Sequence, residues 1–272
     1  MILWDSRKDP KELVHKGIVL LEKNQPKIAV RLFNDALKID PKNTSALYRK
    51  GLALNQMRKY QDAITSFDKV LEINPRHAPS LNNRAIAMAE LGIPDEAMKY
   101  YERAIEANPK YVAALYNKGV LLDRLEKREE SVECLDRANK IDPKNTSALF
   151  YKGIVFGKLE KHEEALVCFN KVYEMNAGHL DALFHKGIEL AELGKHRDAI
   201  DIFDGILKKH RKNVNVIFAK SRSKAALGEI DESLILLKQA IAGDKKTIKK
   251  WAKKEKIFET LRNDERFRKL VH

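Results

Sequence analysis

A histidine followed by two glutamates on a helix can open a zinc-hydrolase site. A second histidine four residues on would put two imidazoles on one face, with an acid between them as general base. His162-Glu163-Glu164 begins that way, but Leu166 stands where the second ligand is needed. His179 and His185 lie six apart, a poor match to the spacing that stacks ligands on one helical face. A phosphate-cradling loop would follow a strand and hold its glycines five apart; Gly187 and Gly194-Lys195 are seven apart and fall in and just after a helical pattern. Cys134 and Cys168 are 34 residues apart. In stacked helices equivalent positions sit roughly 10 Å from one another, beyond the ~7 Å Cα limit for a disulfide, so both read as small semi-buried apolar side chains in a reducing compartment. No catalytic, metal or cofactor chemistry is expected, and the chain reads as a binding protein rather than an enzyme.

The elements that position these residues follow a period of 34. Asp40-Pro41-Lys42-Asn43-Thr44-Ser45-Ala46-Leu47 returns as Asp142 to Leu149, 102 residues later, which is three periods. Ungapped blocks run 10–43, 44–77, 78–111, 112–145, 146–179, 180–213 and 214–247, with 1–9 as a lead segment and 248–272 as a basic cap. Position four is Leu13, Leu47, Leu81, Leu115, Leu149, Leu183 and Ile217, and position eight is small throughout, from Gly17 and Gly51 to Ser221. Position twenty is alanine or serine, and position twenty-four is bulky, as in Phe33, Phe67 and Tyr101. That alternation describes two antiparallel helices held close at small residues and filled by large ones on either side. Pro41, Pro75, Pro109 and Pro143 end second helices, whereas Pro26 and Pro94 open them. Asp9-Pro10-Lys11-Glu12 has the pattern of an N-cap, a first-turn proline and a capping-box acid.

This set of positions resembles the tetratricopeptide-repeat family over residues 10–247. The resemblance implies an all-α, right-handed solenoid of helical hairpins, in which first helices line a concave groove and second helices form the back. It also implies a protein-interaction scaffold. Ala177, Arg211 and Lys245 replace the late proline, and Gly205 sits inside a second helix, so junctions after the fifth block are expected to be angled or looser. The carboxylate clamp of chaperone-tail binders needs lysine and asparagine at positions five and nine. Here Tyr48 with Leu52 and Asn82 with Ile86 precede Asn83 and Asn117, and the clamp is not supplied.

Positions five and nine of the first helices are the candidate peptide groove: Tyr48, Leu52, Ile86, Tyr116, Val120, Phe150, Ile154, Phe184, Ile188 and Phe218. Aliphatics at position nine, where the family often carries a polar residue, make the groove fit for an amphipathic helix or extended apolar peptide. Packing between neighbouring first helices is the alternative use of the same residues, and a second copy of the chain is a further occupant. Position seven is basic in all seven blocks, Lys16, Lys50, Arg84, Lys118, Lys152, Lys186 and Lys220; alkyl stems are expected to pack between repeats with the charges in solvent.

The formal charge of +13 is concentrated late: residues 208–272 hold 19 Lys and Arg against 8 Asp and Glu. Lys208, Lys209, Arg211, Lys212, Lys220, Arg222, Lys249, Lys250, Lys253 and Lys254 form a second candidate surface, for an acidic protein in preference to nucleic acid. In the cap, Ile248, Trp251, Phe258 and Leu261 share one helical face, and Asn263 reads as the N-cap of a last short helix. Lys224 falls at a core position, which predicts a loosely packed seventh hairpin and an escape to solvent or to an acid such as Glu255. No apolar run approaches the ~20 residues of a membrane span, and the start is too short and acidic for a signal peptide, so a cytoplasmic protein is expected.

Overall fold

The computed structural model describes residues 9–272, in two compact units divided after Pro143. The lead residues Met1 to Trp4, a candidate plug for the first hairpin, lie outside the described residues.

The first unit holds four hairpins: α1 (Pro10–Glu22) with α2 (Pro26–Ile39), α3 (Thr44–Gln56) with α4 (Tyr60–Ile73), α5 (Ala78–Glu90) with α6 (Pro94–Ala107), and α7 (Val112–Arg124) with α8 (Arg128–Ile141). The second holds three more, α9 (Thr146–Lys158) with α10 (His162–Met175), α11 (Leu180–Glu192) with α12 (His196–Lys209), and α13 (Val214–Ala226) with α14 (Ile230–Gly243). It closes with α15 (Lys245–Lys254), a 3-10 segment (Lys256–Leu261) and α16 (Glu265–Val271). There is no strand among the described residues, and the fold is that of a tandem-hairpin α-solenoid.

Three recurring devices set the hairpins. Position thirty-four caps the next helix: Asn43 Oδ1 accepts from the Ala46 amide at 3.0 Å, and Asn213 Oδ1 from Val216 at 3.3 Å, with the His77 and His179 rings doing the same. Position fifteen, between the two helices, is left-handed in every hairpin; Gly92, Gly194 and Gly228 adopt it freely, and Asn24, Arg58, Glu126 and Glu160 adopt it at φ of 56 to 62°. Position eight meets position twenty-four, since a Cβ on Gly17, Gly51 or Gly187 would stand 2.4 to 2.5 Å from the ring of Phe33, Phe67 or Phe203. Those phenylalanines are wholly buried, and each contributes roughly 1.5 to 3 kcal/mol by leaving water. Where leucine replaces the aromatic, serine at position twenty ties the helices instead: Ser131 Oγ donates to the Gly119 carbonyl at 2.7 Å, and Ser233 Oγ to that of Ser221 at 2.8 Å.

The last three repeats and the cap differ from expectation at several points. The connections at 176–179 and 210–213 keep the four-residue length of the proline-bearing ones, and α12 runs through Gly205 without a break. The seventh hairpin is not loose, because Leu234 and Leu237 join Ile248, Phe258, Phe267 and Val271 in one buried apolar cluster. Lys224 is held by Glu229 and by Glu232 at 2.8 Å rather than by Glu255, so its charge is compensated at the rim of that cluster. The cap also begins earlier than 248, at Lys245, since Asp244 alone separates it from α14 and accepts from the Thr247 amide at 3.0 Å. Extended backbone at Glu255 ends α15, so no single helix carries both Ile248 and Leu261, and the N-cap of α16 is Asp264, one residue after Asn263.

Candidate functional site

Within the first unit the inner faces of α3, α5 and α7 present Tyr48, Leu52, Ile86, Tyr116 and Val120, all half-buried. Polar neighbours on these helices are largely spent on one another. Asn83 Nδ2 donates to the Tyr48 hydroxyl at 3.3 Å and to the Pro79 carbonyl at 2.8 Å, Asn117 Nδ2 to Asn82 Oδ1 at 2.9 Å, and Asn55 Nδ2 to the Asn83 carbonyl at 3.2 Å. The Tyr48 ring lies edge-on to His77 at 5.3 Å. Burial pushes the Tyr48 and Tyr116 phenols up from their ordinary range, so both stay protonated and act as hydrogen-bonding groups rather than as acids.

In the second unit the corresponding faces of α9 and α11 carry Phe150, Ile154, Phe184 and Ile188, also half-buried. Phe150 lies 5.6 Å from Phe169 and 5.0 Å from His179, while His185 stacks on Phe169 at 5.5 Å. Part of each aromatic is therefore committed to packing. Ile154 and Ile188 border a concave depression of about 670 Å³ together with Gly157, His162, His185 and Glu189. Burial lowers the His185 pKa, so the ring facing this depression favours its neutral form.

Glu189 is the residue that sequence reasoning missed. It occupies position ten, where the other blocks have Val19, Ala53, Ala87, Leu121, Val155 and Ser223, and that contrast was the available signal. Only 6% of it is exposed. His162 Nδ1 donates to its Oε2 at 2.7 Å, and burial raises the carboxyl pKa against the opposing pull of that histidine. The histidine that fails as a zinc ligand is thus the partner of a buried acid. Among the described residues no group of three or more His, Cys, Asp or Glu is placed to hold a metal ion. Cys134 and Cys168 are buried and are not joined in a disulfide.

Phe218 lies under the cap, at the edge of a depression of about 460 Å³ that it shares with Arg222 and Trp251. It is 7% exposed, covered by Trp251 at 5.7 Å and Phe258 at 6.2 Å, because the cap folds back over α13.

The basic surface divides. Lys220 pairs with Asp204 at 2.5 Å, and Arg222 bridges Glu192 at 3.0 Å and Glu255 at 2.8 Å, which removes both from the candidate set for an anionic partner. Lys208, Lys209, Arg211 and Lys212 are exposed at the end of α12 and in the following connection. Lys249, Lys250, Lys253 and Lys254, with Lys245 and Lys246, border a depression of about 620 Å³ beside Val271 and His272. None of these six makes an ion pair among the described residues.

Position seven also differs from expectation. Arg84 pairs with Asp68 at 2.5 Å and Lys118 with Glu102 at 3.0 Å, in each case with an acid 16 residues earlier in the preceding second helix, as Lys220 does with Asp204. At Arg84, Lys118 and Lys220 the ladder forms cross-repeat clasps, whereas Lys16 pairs with Glu12 on its own helix. Where asparagine stands 16 residues upstream, at Asn34 and Asn170, Lys50 and Lys186 make no ion pair among the described residues. Burial and the nearby Lys69 push the Lys50 pKa down.

Residues 44–77 and 88–150 match family models described as tetratricopeptide repeat. No curated protein matches the sequence. Among solved structures, a tetratricopeptide repeat protein from Parabacteroides merdae ATCC 43184 is 21% identical over 89% of this chain and 96% of its own, with a TM-score of 0.63. PilW, a widely conserved type IV pilus biogenesis factor, is 21% identical over 76% of this chain and 96% of its own, at 0.69. YrrB, a TPR protein with an unusual peptide-binding site, is 23% identical over 70% and 98%, at 0.59. At these identities the likeness speaks for the fold alone. The two matched stretches are tetratricopeptide repeats, and a hairpin of the same form returns every 34 residues through Gly243.

Proposed function

We propose that this protein is a non-enzymatic interaction scaffold whose second unit takes a partner peptide along the inner faces of α9 and α11. Tetratricopeptide repeats serve generally as protein-binding modules, and YrrB shares the fold and has a peptide-binding site. The observation that carries the reading is the depression of about 670 Å³, which combines the apolar Ile154 and Ile188 with the polar His162, His185 and Glu189 in one lining. An extended or helical segment with one or two apolar anchors would gain roughly 1.5 to 3 kcal/mol per buried anchor, against association costs of at least ~4 kcal/mol, which places affinity in the micromolar range. The test is selection from a random octapeptide library. Wild-type protein should enrich apolar anchors, and the double variant Ile154→Ala, Ile188→Ala should lose that enrichment while keeping its helical circular dichroism. Equal enrichment by the variant would remove the assignment.

A second reading, an anionic partner docked on the cap, is favoured by the six unpaired lysines of α15. An acidic protein surface suits it better than nucleic acid, because no nucleic-acid-binding motif accompanies the charge. Binding there should weaken by on the order of tenfold or more between 50 and 300 mM salt, whereas groove binding should hardly change. No helix among the described residues is long and apolar enough to cross a membrane.

A further inference from the structure

We infer that the depression in the second unit is a receptor for one cationic side chain, lysine or arginine, carried by the peptide in the groove. This rests on the groove reading above and names the chemistry its partner must have.

Glu189 sits where six other repeats place a small or aliphatic side chain, and it is 6% exposed. A carboxylate is costly to bury unless its oxygens are compensated. Its Oε2 has one partner, His162 at 2.7 Å, and its Oε1 has none among the described residues. The free oxygen faces Gly157: a Cβ there would lie 2.6 Å from Oε1, so only glycine leaves that oxygen open on the side of α9. Gly157 and Glu189 both border the depression, Glu160 adds a second acid to its lining, and the exposed Lys158 is the lysine beside them. Glu192 shares the rim but is already held by Arg222 at 3.0 Å.

A single approachable oxygen above a buried acid fits a single N–H donor, and a charged donor gives the stronger bond. Ile154, Ile188 and His185 would take the methylene stem that precedes an ammonium or guanidinium group. The first unit lacks this arrangement, since position ten there is Val19, Ala53, Ala87 or Leu121. The cationic preference therefore belongs to α9 and α11 alone.

The experiment is a positional-scanning octapeptide library presented to the full chain, with Glu189→Gln and Gly157→Ala as variants and circular dichroism to verify folding. Wild-type protein should enrich lysine or arginine at one position, beside the apolar anchors, by about tenfold. Glu189→Gln keeps the shape and a polar group while removing the charge. Gly157→Ala keeps the charge but drives the flexible carboxylate away from its place. Both should retain the apolar preference and lose the basic one. Apolar enrichment without a basic preference in wild type, or a basic preference that survives in Glu189→Gln, overturns this inference and leaves the groove reading standing. Absence of any enrichment by wild type overturns both.

Discussion

The inner faces of α3, α5 and α7 in the first unit and of α9 and α11 in the second are built on the same backbone period, yet they differ in what they leave open. In the first, Tyr48, Asn82, Asn83 and Asn117 form hydrogen bonds with one another. In the second, phenylalanine replaces tyrosine at position five, His185 replaces asparagine at position six, and Glu189 and Gly157 replace bulkier or apolar residues beneath. A polar face whose donors and acceptors are mostly taken up with one another, Asn55 Oδ1 excepted, has less left for a ligand. An apolar face over a half-satisfied acid has both a surface to cover and a charge to meet. The repeat thus fixes where side chains stand, and a few positions decide which unit can bind.

Removing residues 245–272 should produce the largest effect, and it should fall on the second unit alone. Ile248, Phe258, Leu261, Phe267 and Val271 are all buried in the cluster that covers Leu234 and Leu237. Losing that many large apolar contacts should lower the melting temperature of the second unit by on the order of 10 °C or more and raise binding of a hydrophobic dye. Calorimetry that shows both units melting as in the intact chain would mean that α15 and α16 are dispensable to the hairpin they cover.

A smaller effect, equal in the two units, should come from filling the hairpin contact. Gly51→Ala and Gly187→Ala each place a methyl 2.4 or 2.5 Å from a buried phenylalanine ring, and each should cost about 1 to 3 kcal/mol in chemical denaturation. Gly157→Ala meets only the mobile end of Glu189 and should cost less than about 1 kcal/mol. A Gly157 variant as unstable as the other two would show that the carboxylate is rigidly seated, which would weaken the case for an approachable oxygen.

The scaffold was largely legible in the sequence because packing repeats with the period: glycine at position eight and an aromatic at position twenty-four are visible as a column of like residues. The site was legible only in part. Phe218 has the same residue type as Phe184, and nothing in the periodicity says that Trp251 and Phe258 will fold over it. Lys220 and Arg222 look like free charges until helices from different repeats bring Asp204, Glu192 and Glu255 alongside. Glu189 is the converse case, a departure from its column whose meaning depends on His162, 27 residues away.

The pH response should separate the units further. Glu189 has a raised pKa in the folded chain, so the stability it contributes is full below the ordinary carboxylate range, near ~4.3, and is lost as pH rises through its shifted value. His185 has a lowered pKa, so its contribution is full above ~6.5 and is lost as pH falls through its own lower value. Relative to wild type, Glu189→Gln should therefore gain stability as pH is raised from 4 towards 7, measured by urea denaturation of the second unit. A difference that does not change with pH would mean that the acid titrates alike in folded and unfolded chains.

The smallest effect tests the turn that both units share. Position fifteen is left-handed in every hairpin, a conformation that costs an ordinary L-residue roughly 1 kcal/mol and glycine almost nothing, although glycine loses more entropy on folding. Glu126 in the first unit and Glu160 in the second both adopt it, at φ of 62 and 58°. Glu126→Gly and Glu160→Gly should each stabilise their unit by up to about 0.5 to 1 kcal/mol, because Gly92, Gly194 and Gly228 already fill the same position elsewhere. Glu126 has only a loose ion pair with Arg128 at 3.9 Å to lose. Glu160 borders the depression, so its removal should also reduce the enrichment of basic peptides while leaving the apolar preference intact. If both variants gain stability and only Glu160→Gly alters peptide choice, the same turn serves folding in one unit and folding with recognition in the other. If Glu160→Gly leaves peptide choice untouched, Glu189 must meet the cation without help from the rim.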